Sequence, residues 1–151
     1  MRIMIAIGSD HRGYNLKEHV KEFLDKEGVS YIDFGTDSEE RVDSLPIVSK
    51  LCKSIQSREC ERGILICGTG LAMSITANKF KRIMCALCHD ELSATRSREH
   101  NDANLLAFGA EMVSNDTAIK MVEAWLKTEH LGGKYAERVD MIKALEDENM
   151  K

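Results

Sequence analysis

A short apolar run, Gly63–Cys67, ends abruptly in the turn Gly68-Thr69-Gly70, and this junction restricts the possible folds more than any other feature of the chain. An apolar run of this length between glycines is typical of a strand that is buried on both faces. The pattern beyond the turn predicts a helix over Thr69–Lys79. A doubly buried strand followed by a helix indicates a parallel sheet with helices on both sides.

The same alternation of apolar runs and helical periodicity continues along the chain and predicts an α/β fold. The predicted strands are Arg2–Gly8, Val29–Phe34, Gly63–Cys67, Ile83–Cys88 and Asn104–Phe108. The predicted helices are His11–Glu27, Leu45–Ser57, Thr69–Lys79, Glu91–Arg98, Asp116–Thr128 and Tyr135–Glu148. No linker or internal repeat divides these elements, so residues 1–151 are predicted to form a single domain.

Charge and hydropathy exclude some classes of partner. The net charge of −4 disfavours broad nucleic-acid binding, although it leaves room for a local basic site that binds a small anion. The apolar segment Met1–Ile7 is too short for a transmembrane helix and lacks the features of a signal peptide. We therefore expect a cytoplasmic protein without a membrane partner.

One of the five cysteines stands apart from the others. Without a secretion signal we expect all five as reduced thiols, and we interpret Cys52 and Cys60 as packing residues of a predicted helix and its end. Cys67 instead ends a strand immediately before a helix, where free N–H groups and the helix dipole favour an anion. The same field favours a thiolate, so Cys67 is a candidate reactive thiol.

Other candidate residues follow from the rule that open α/β sheets bind ligands at the carboxyl ends of their strands. Asp10 and His11 follow the first strand. Asp10 either orients a sugar hydroxyl and assists proton transfer or caps the next helix. His100 and Asn101 precede the fifth strand, and we expect their loop to open on the same side of the sheet as Cys67 and Asp10.

The C-terminal helix, residues 134–148, carries two features that the sequence leaves open. Lys134 and Arg138 are four residues apart and either bind a phosphate or remain solvated. Val139, Ile142 and Leu145 form one narrow apolar stripe. The stripe packs the helix either on its own domain or on a partner subunit.

Two cofactor motifs are present only in part. Cys85-Ala86-Leu87-Cys88-His89 matches the pattern of c-type haem attachment, but residues three apart in a strand face opposite sides of the sheet. The turn at Gly68 resembles a dinucleotide fingerprint, yet Met73 occupies the position of the third glycine. We therefore expect no haem, zinc or NAD, and no other metal or cofactor.

Together these segments resemble the sugar-phosphate isomerase family that includes ribose-5-phosphate isomerase B and the galactose-6-phosphate and allose-6-phosphate enzymes. The matching stretches are Gly8–His11, Ile32–Thr36, Gly63–Gly70, Ala77–Lys79, Ser97–Asn104, Gly132-Gly133 and Arg138-Val139. The resemblance implies a Rossmann-like three-layer α/β/α sandwich with a five-stranded parallel sheet. It also implies a homodimer or dimer of dimers with the active site at the subunit interface, which favours docking of the C-terminal helix on a partner.

The resemblance further implies a metal-independent aldose–ketose isomerase of the pentose phosphate pathway that interconverts ribose 5-phosphate and ribulose 5-phosphate through a cis-enediolate. By resemblance, Cys67 is the base, and His100 with Asp10 assists ring opening. Asn101 binds sugar hydroxyls, and His11, Lys134 and Arg138 surround the phosphate. The developing oxyanion is held by Thr69 and the backbone N–H groups of the turn, Gly68, Thr69, Gly70, Leu71 and Ala72.

The chain departs from the family's usual residues at three of these positions. Ala72 replaces a glycine, Lys134 replaces an arginine, and Glu111 stands where an arginine often contacts phosphate. Arg12 could restore part of the lost positive charge. The alternative functions are therefore an isomerase for allose 6-phosphate or galactose 6-phosphate and a non-catalytic sugar-phosphate-binding subunit.

Overall fold

The computed structural model describes residues 3–150. Its sheet has five parallel strands in the order β2-β1-β3-β5-β4. The strands are β1 Met4–Ser9, β2 Ser30–Asp33, β3 Arg62–Cys67, β4 Cys85–Leu87 and β5 Leu105–Gly109. All five predicted strands are present, and only Arg2 of the predicted first strand lies outside the described residues.

Six helices accompany the sheet, as the periodicity predicts. They are α1 Tyr14–Lys26, α2 Leu45–Gln56, α3 Leu71–Ala77, α4 Glu91–Glu99, α5 Asn115–Lys127 and α6 Lys134–Asn149. Their ends follow local capping: the Asp90 side chain accepts a hydrogen bond from the backbone N–H of Ser93, at 2.7 Å, and begins α4. The predicted start of α1 at His11 is wrong, since residues 11–13 form a turn.

Two apolar cores cover the two faces of the sheet and confirm the three-layer α/β/α architecture. One face packs against α1, α4 and α5, and the other against α2 and α3. Neighbouring strand residues alternate between these cores, so Ile66 packs on the first and Cys67 on the second. Cys88 and Cys85 likewise pack in different cores, as predicted for residues three apart.

The direction of the strands places the predicted site residues at two opposite edges of the sheet. Because all strands are parallel, each helix returns from the carboxyl edge of the sheet to its amino edge. Helix α4 begins after the carboxyl end of β4 and ends at His100, just before β5 begins. His100 therefore lies at the amino edge, and the expectation that its loop opens beside Cys67 in the same chain is wrong.

Helix α6 lies outside both core layers, near the amino edge. The Glu146 carboxylate accepts a hydrogen bond from the backbone N–H of Arg82, at 2.9 Å, and Val139 is buried. Most other apolar residues of α6 face solvent, and Met141 and Leu145 are 68% and 58% exposed. Within residues 3–150, no helix combines the length and hydrophobicity needed to cross a membrane.

Candidate active site

Cys67 lies at the carboxyl end of β3, beside Gly109 of β5. Its side chain is only 6% exposed, and its sulfur accepts a hydrogen bond from the backbone N–H of Gly70 at 3.0 Å. An N–H donor directed at sulfur stabilises the thiolate more than the thiol, because the negative charge strengthens the hydrogen bond. The Cys67 sulfur is thus fixed at the turn, where a cysteine can act as a base or nucleophile.

Gly70 makes this turn possible. Its φ of 82° lies in the left-handed region that favours glycine. A Cβ at this position would meet Cδ1 of Leu87 at 2.6 Å and the backbone carbonyl carbon of Phe108 at 2.9 Å. The turn therefore packs directly on Leu87 and Phe108, and these contacts fix its geometry.

Thr69 and the first residues of α3 complete the turn. The Thr69 hydroxyl oxygen accepts the backbone N–H of Leu71 at 3.2 Å, which leaves the hydroxyl proton free to be donated. Leu71 and Ala72 are exposed at the start of α3, which begins two residues later than predicted. Gly68 and Thr69 remain outside the helix and face the region next to the Cys67 sulfur.

The other cysteines have a different environment. Burial raises the pKa of Cys52 to about 12, and burial also raises the pKa of Cys60, Cys85 and Cys88. These thiols remain protonated near neutral pH and act as small apolar residues. Their role as packing residues, expected for Cys52 and Cys60, extends to all four.

Asp10 and His11 lie beside Cys67 at the same edge of the sheet. The backbone N–H of Asp10 donates to the carbonyl of Ile66 at 3.2 Å. One carboxylate oxygen of Asp10 accepts the backbone N–H groups of Arg12 and Gly13 in the turn that precedes α1. The N-cap of α1 is Gly13, without a side-chain cap, so the helix-capping interpretation of Asp10 is wrong. Nδ1 of His11 accepts a hydrogen bond from the backbone N–H of Val42 at 3.2 Å. This bond does not involve Nε2 of the ring.

Arg12 and Glu111 meet above Gly68. Their side chains form an ion pair at 3.5 Å, with 63% and 56% of their surfaces exposed. A Cβ on Gly68 would collide with the Glu111 carboxylate and would meet Cδ of Arg12 at 3.1 Å. Residues 10–12, 67–72 and 111 therefore form one cluster, the carboxyl-edge group.

The remaining predicted residues lie in a second cluster, together with Tyr135, which was not predicted. This cluster, the amino-edge group, is made of His100, Asn101, Lys134, Arg138 and Tyr135. The imidazole of His100 stacks on the ring of Tyr135, with centroids 4.1 Å apart and planes 8° from parallel. Lys134 lies 5.2 Å from the same ring. No ion pair of residues 3–150 involves Lys134 or Arg138.

The length of the strands separates the two clusters within one chain. At about 3.3 Å per residue, β5 places its first residue, Leu105, about 13 Å from Gly109 beside Cys67. His100 lies before Leu105, at the far end of that span. One chain therefore brings Asp10, His11 and Cys67 together but does not bring His100 to them.

The comparison with known proteins decides the family. The family described as Ribose/Galactose Isomerase matches residues 5–142. The chain belongs to this family. It is a sugar-phosphate isomerase.

Several similar proteins support this assignment over almost the whole chain. Ribose-5-phosphate isomerase B of Escherichia coli is 44% identical over 142 residues, which are 94% of this chain and 95% of that protein. The putative sugar phosphate isomerase YwlF of Bacillus subtilis is 42% identical, covering 97% and 99%. The structure of ribose-5-phosphate isomerase B from Clostridium thermocellum superposes with a TM-score of 0.94 at 49% identity, covering 97% of this chain and 99% of that chain.

Two features of this isomerase escaped the sequence analysis. Lys17 is completely buried, and its ammonium group donates to both carboxylate oxygens of Asp33, at 2.6 and 2.7 Å, and to the carbonyl oxygen of Thr36 at 2.5 Å. The only signal was the position of Lys17 next to Leu16 on the buried side of α1. The second feature is the stacking of Tyr135 on His100, for which the sequence carries no signal.

No three His, Cys, Asp or Glu side chains within residues 3–150 are grouped as a metal site requires. Cys85 and Cys88, the most suggestive pair of ligands in the sequence, belong to different cores. Thiols on opposite faces of a sheet cannot bind one metal ion together.

Proposed function

We propose that this isomerase interconverts ribose 5-phosphate and ribulose 5-phosphate through a cis-enediolate, with Cys67 as the base. The hydrogen bond from the Gly70 N–H to the Cys67 sulfur, at 3.0 Å, is the observation that carries the proposal. It fixes the Cys67 sulfur at a turn whose Thr69 hydroxyl proton is available to an oxyanion. Ribose-5-phosphate isomerase B of Escherichia coli supports the choice of substrate.

The reaction requires one base that removes a proton and returns it. In the open-chain aldose, the Cys67 thiolate removes the proton from C2, and the electron pair forms the C1–C2 double bond while charge develops on O1. The Thr69 hydroxyl and the turn N–H groups stabilise that charge, a contribution of about 3–4 kcal/mol per donor. The thiol then returns its proton to C1, O2 releases its proton to solvent as the C2 carbonyl forms, and O1 takes up one proton from solvent.

We propose that two copies of the chain complete each active site. The carboxyl-edge group of one copy supplies the base and the oxyanion turn, and the amino-edge group of the other supplies His100, Asn101, Lys134 and Arg138. This arrangement is supported by the separation of the two groups within one chain. In a symmetric dimer the same contact occurs twice and yields two equivalent sites.

Exposed apolar side chains flank both groups and support their contact. Leu71 and Ile75 of α3, next to the Cys67 turn, are 52% and 61% exposed. Met141 and Leu145 of α6 are exposed near the amino-edge group. Packing α6 of one copy near α3 of the other would remove these surfaces from water, which favours docking of the C-terminal helix on a partner.

In this assembly, His100 of one copy approaches Asp10 of the other and assists opening of the furanose ring. The second oxygen of Asp10 is not used by the turn before α1 and can orient a sugar hydroxyl. Lys134 and Arg138, which have no ion-pair partner within residues 3–150, balance the charge of the phosphate together with His11.

Replacement of Cys67 tests the proposal. Cys67→Ala should lower turnover of ribose 5-phosphate by roughly 10²–10⁴-fold, since the proton-transfer base is lost. Cys60→Ala, which removes another buried thiol, is the matched control and should keep most of the activity. A folded Cys67→Ala protein with more than about a tenth of wild-type turnover would contradict the role of Cys67 as base.

The same assay separates the alternative functions. Ribose 5-phosphate, allose 6-phosphate, galactose 6-phosphate and the unphosphorylated sugars are compared for aldose–ketose exchange. If kcat/KM is highest for ribose 5-phosphate, the proposed substrate is supported. If kcat/KM is higher for a hexose phosphate, that hexose phosphate is the substrate instead. Binding without turnover of any sugar phosphate would indicate a non-catalytic subunit.

A further inference from the structure

The pairing of Arg12 with Glu111 has little value for stability. Exposed ion pairs contribute about 0–1 kcal/mol, and this pair is longer than a strong hydrogen bond at 3.5 Å. Both side chains nevertheless converge on Gly68, where a Cβ would force them to shift. The pair is therefore better explained by a role in substrate binding at the entrance of the active site.

The backbone fixes both residues to the turn that carries Cys67. The N–H of Glu111 donates to the carbonyl of Gly68 at 2.9 Å. On the other side, the N–H of Arg12 donates to the Asp10 carboxylate at 2.9 Å. Arg12 follows β1 and Glu111 follows β5, the two strands on either side of β3, and their long side chains meet over the turn that follows β3.

The charge at this edge requires a cation if a phosphate dianion is to bind. Glu111 places its carboxylate at Gly68, and Asp10 carries a second carboxylate at the same edge of the sheet, so both would repel the phosphate. Arg12 provides the permanent positive charge among the side chains of the carboxyl-edge group. Most of its guanidinium N–H groups remain available, since the described side-chain contact of Arg12 is the single one to Glu111.

We infer that Arg12 binds the phosphate of the sugar-phosphate substrate and that Glu111 positions the Arg12 guanidinium over Gly68. This inference rests on the proposed function and adds a residue to its phosphate site. The Arg12 guanidinium contacts the phosphate from one side of the site. Lys134 and Arg138 of the second copy contact it from the opposite side. Arg12 is thereby a determinant of selectivity for phosphorylated over unphosphorylated sugars.

The kinetic test uses Arg12→Gln, with Lys120→Gln on the exposed side of α5 as the matched loss of one positive charge. Arg12→Gln should raise KM for ribose 5-phosphate about tenfold with kcat nearly unchanged, because the contact is common to ground and transition states. Lys120→Gln should leave both constants as in the wild type. An unchanged KM in Arg12→Gln would overturn the inference.

A second substitution tests whether the position above Gly68 is what matters. Adding Glu111→Arg to Arg12→Gln removes the nearby carboxylate and returns a guanidinium to the same place. KM should then fall back to within about threefold of the wild-type value. A double variant with KM as high as that of Arg12→Gln would contradict a phosphate contact above Gly68.

Inorganic phosphate separates failure of this inference from failure of the proposed function. The rise in Tm with added phosphate reports binding to the folded protein without any turnover. Half-maximal stabilisation should need about tenfold more phosphate in Arg12→Gln than in the wild type or Lys120→Gln. An equal phosphate requirement overturns the role of Arg12, whereas a wild-type protein that binds phosphate but does not convert ribose 5-phosphate overturns the proposed reaction alone.

Discussion

At the scale of single residues, His100 has a restricted setting that fits a proton-transfer role. Its ring stacks on Tyr135 and lies at the end of α4, where its backbone N–H donates to the carbonyl of Arg96 at 2.9 Å. Ring and backbone are both held, so the imidazole has few orientations. A positioned imidazole can transfer a proton to or from a ring oxygen near neutral pH.

The role of His100 in ring opening predicts a difference between forms of the substrate. His100→Ala should slow turnover of the furanose form far more than turnover of a sugar phosphate that cannot cyclise, since ring opening and the C2-to-C1 proton transfer are separate steps. Rates with the two substrates are compared with those of His19→Ala, a histidine of α1. Equal losses on both substrates would assign His100 to another step.

Tyr135 should act through His100. Loss of an aromatic partner costs about 0.5–1.5 kcal/mol, so Tyr135→Leu should lower kcat for furanose substrate up to about tenfold. Tyr135→Phe keeps the stacked ring and should retain wild-type kcat. If Tyr135→Phe loses as much activity as Tyr135→Leu, the hydroxyl rather than the stacking is responsible.

At the scale of secondary-structure elements, the buried Lys17 joins α1 to the end of β2. Burial alone would raise the pKa of Asp33, but the hydrogen bonds from Lys17 and Lys21 outweigh it and lower the pKa below its ordinary value. The Lys17 ammonium group also holds the carbonyl of Thr36, so it anchors the loop that reaches Val42 and His11.

This network predicts an acid-dependent contribution to stability. Lys17→Met should lower the free energy of unfolding by about 3 kcal/mol at neutral pH, because it breaks a buried ion pair. A lowered folded-state pKa of Asp33 stabilises the protein above the ordinary carboxyl pKa, and this stabilisation is lost as pH falls through the folded value. The difference from wild type should therefore shrink below about pH 4.

Urea unfolding at pH 7 and pH 3, at one protein concentration, measures this difference. Lys120→Met serves as an exposed control and should change the free energy of unfolding little at either pH. A Lys17→Met deficit that stays constant between the two pH values would show that lost packing, rather than the ion pair with Asp33, is responsible.

The elements were predictable because burial imposes their periodicity. Doubly buried strands such as β3 must be apolar throughout, and α5 shows its buried face as residues at helical spacing. Exact ends were less predictable, since side-chain hydrogen bonds such as that of Asp90 at the start of α4 set them. The buried ion pair of Lys17 was not predictable, because its partner Asp33 is distant in sequence.

The location of His100 was wrong for a reason that applies to any parallel sheet. Residues that precede a strand lie at its amino edge, however suggestive their chemistry, whereas ligands bind at the carboxyl edge. Cys67, Asp10 and His11 follow strands and were grouped correctly, and the stretch from His100 to Asn104 precedes one. In the proposed dimer, His100 of a second copy would complete the site.

At the scale of the whole molecule, the proposed activity depends on how two copies of the chain contact each other. Each chain presents a carboxyl-edge group with a base and an amino-edge group with cations that lack ion-pair partners within residues 3–150. Substrate conversion would then depend on protein concentration wherever the dimer dissociates. A site shared between copies also permits inactive variants to restore each other.

Complementation between Cys67→Ala and His100→Ala tests the shared site most directly. In randomly mixed dimers, half are heterodimers, and each heterodimer has one site with both Cys67 and His100, so about a quarter of wild-type activity should return. Cys67→Ala mixed with Asp10→Ala is the control and should give no recovery, because both changes affect the carboxyl-edge group. Recovery in the first mixture but not in the second is the predicted result, and activity no higher than the sum of the separate variants in the first mixture would contradict a site formed by two copies.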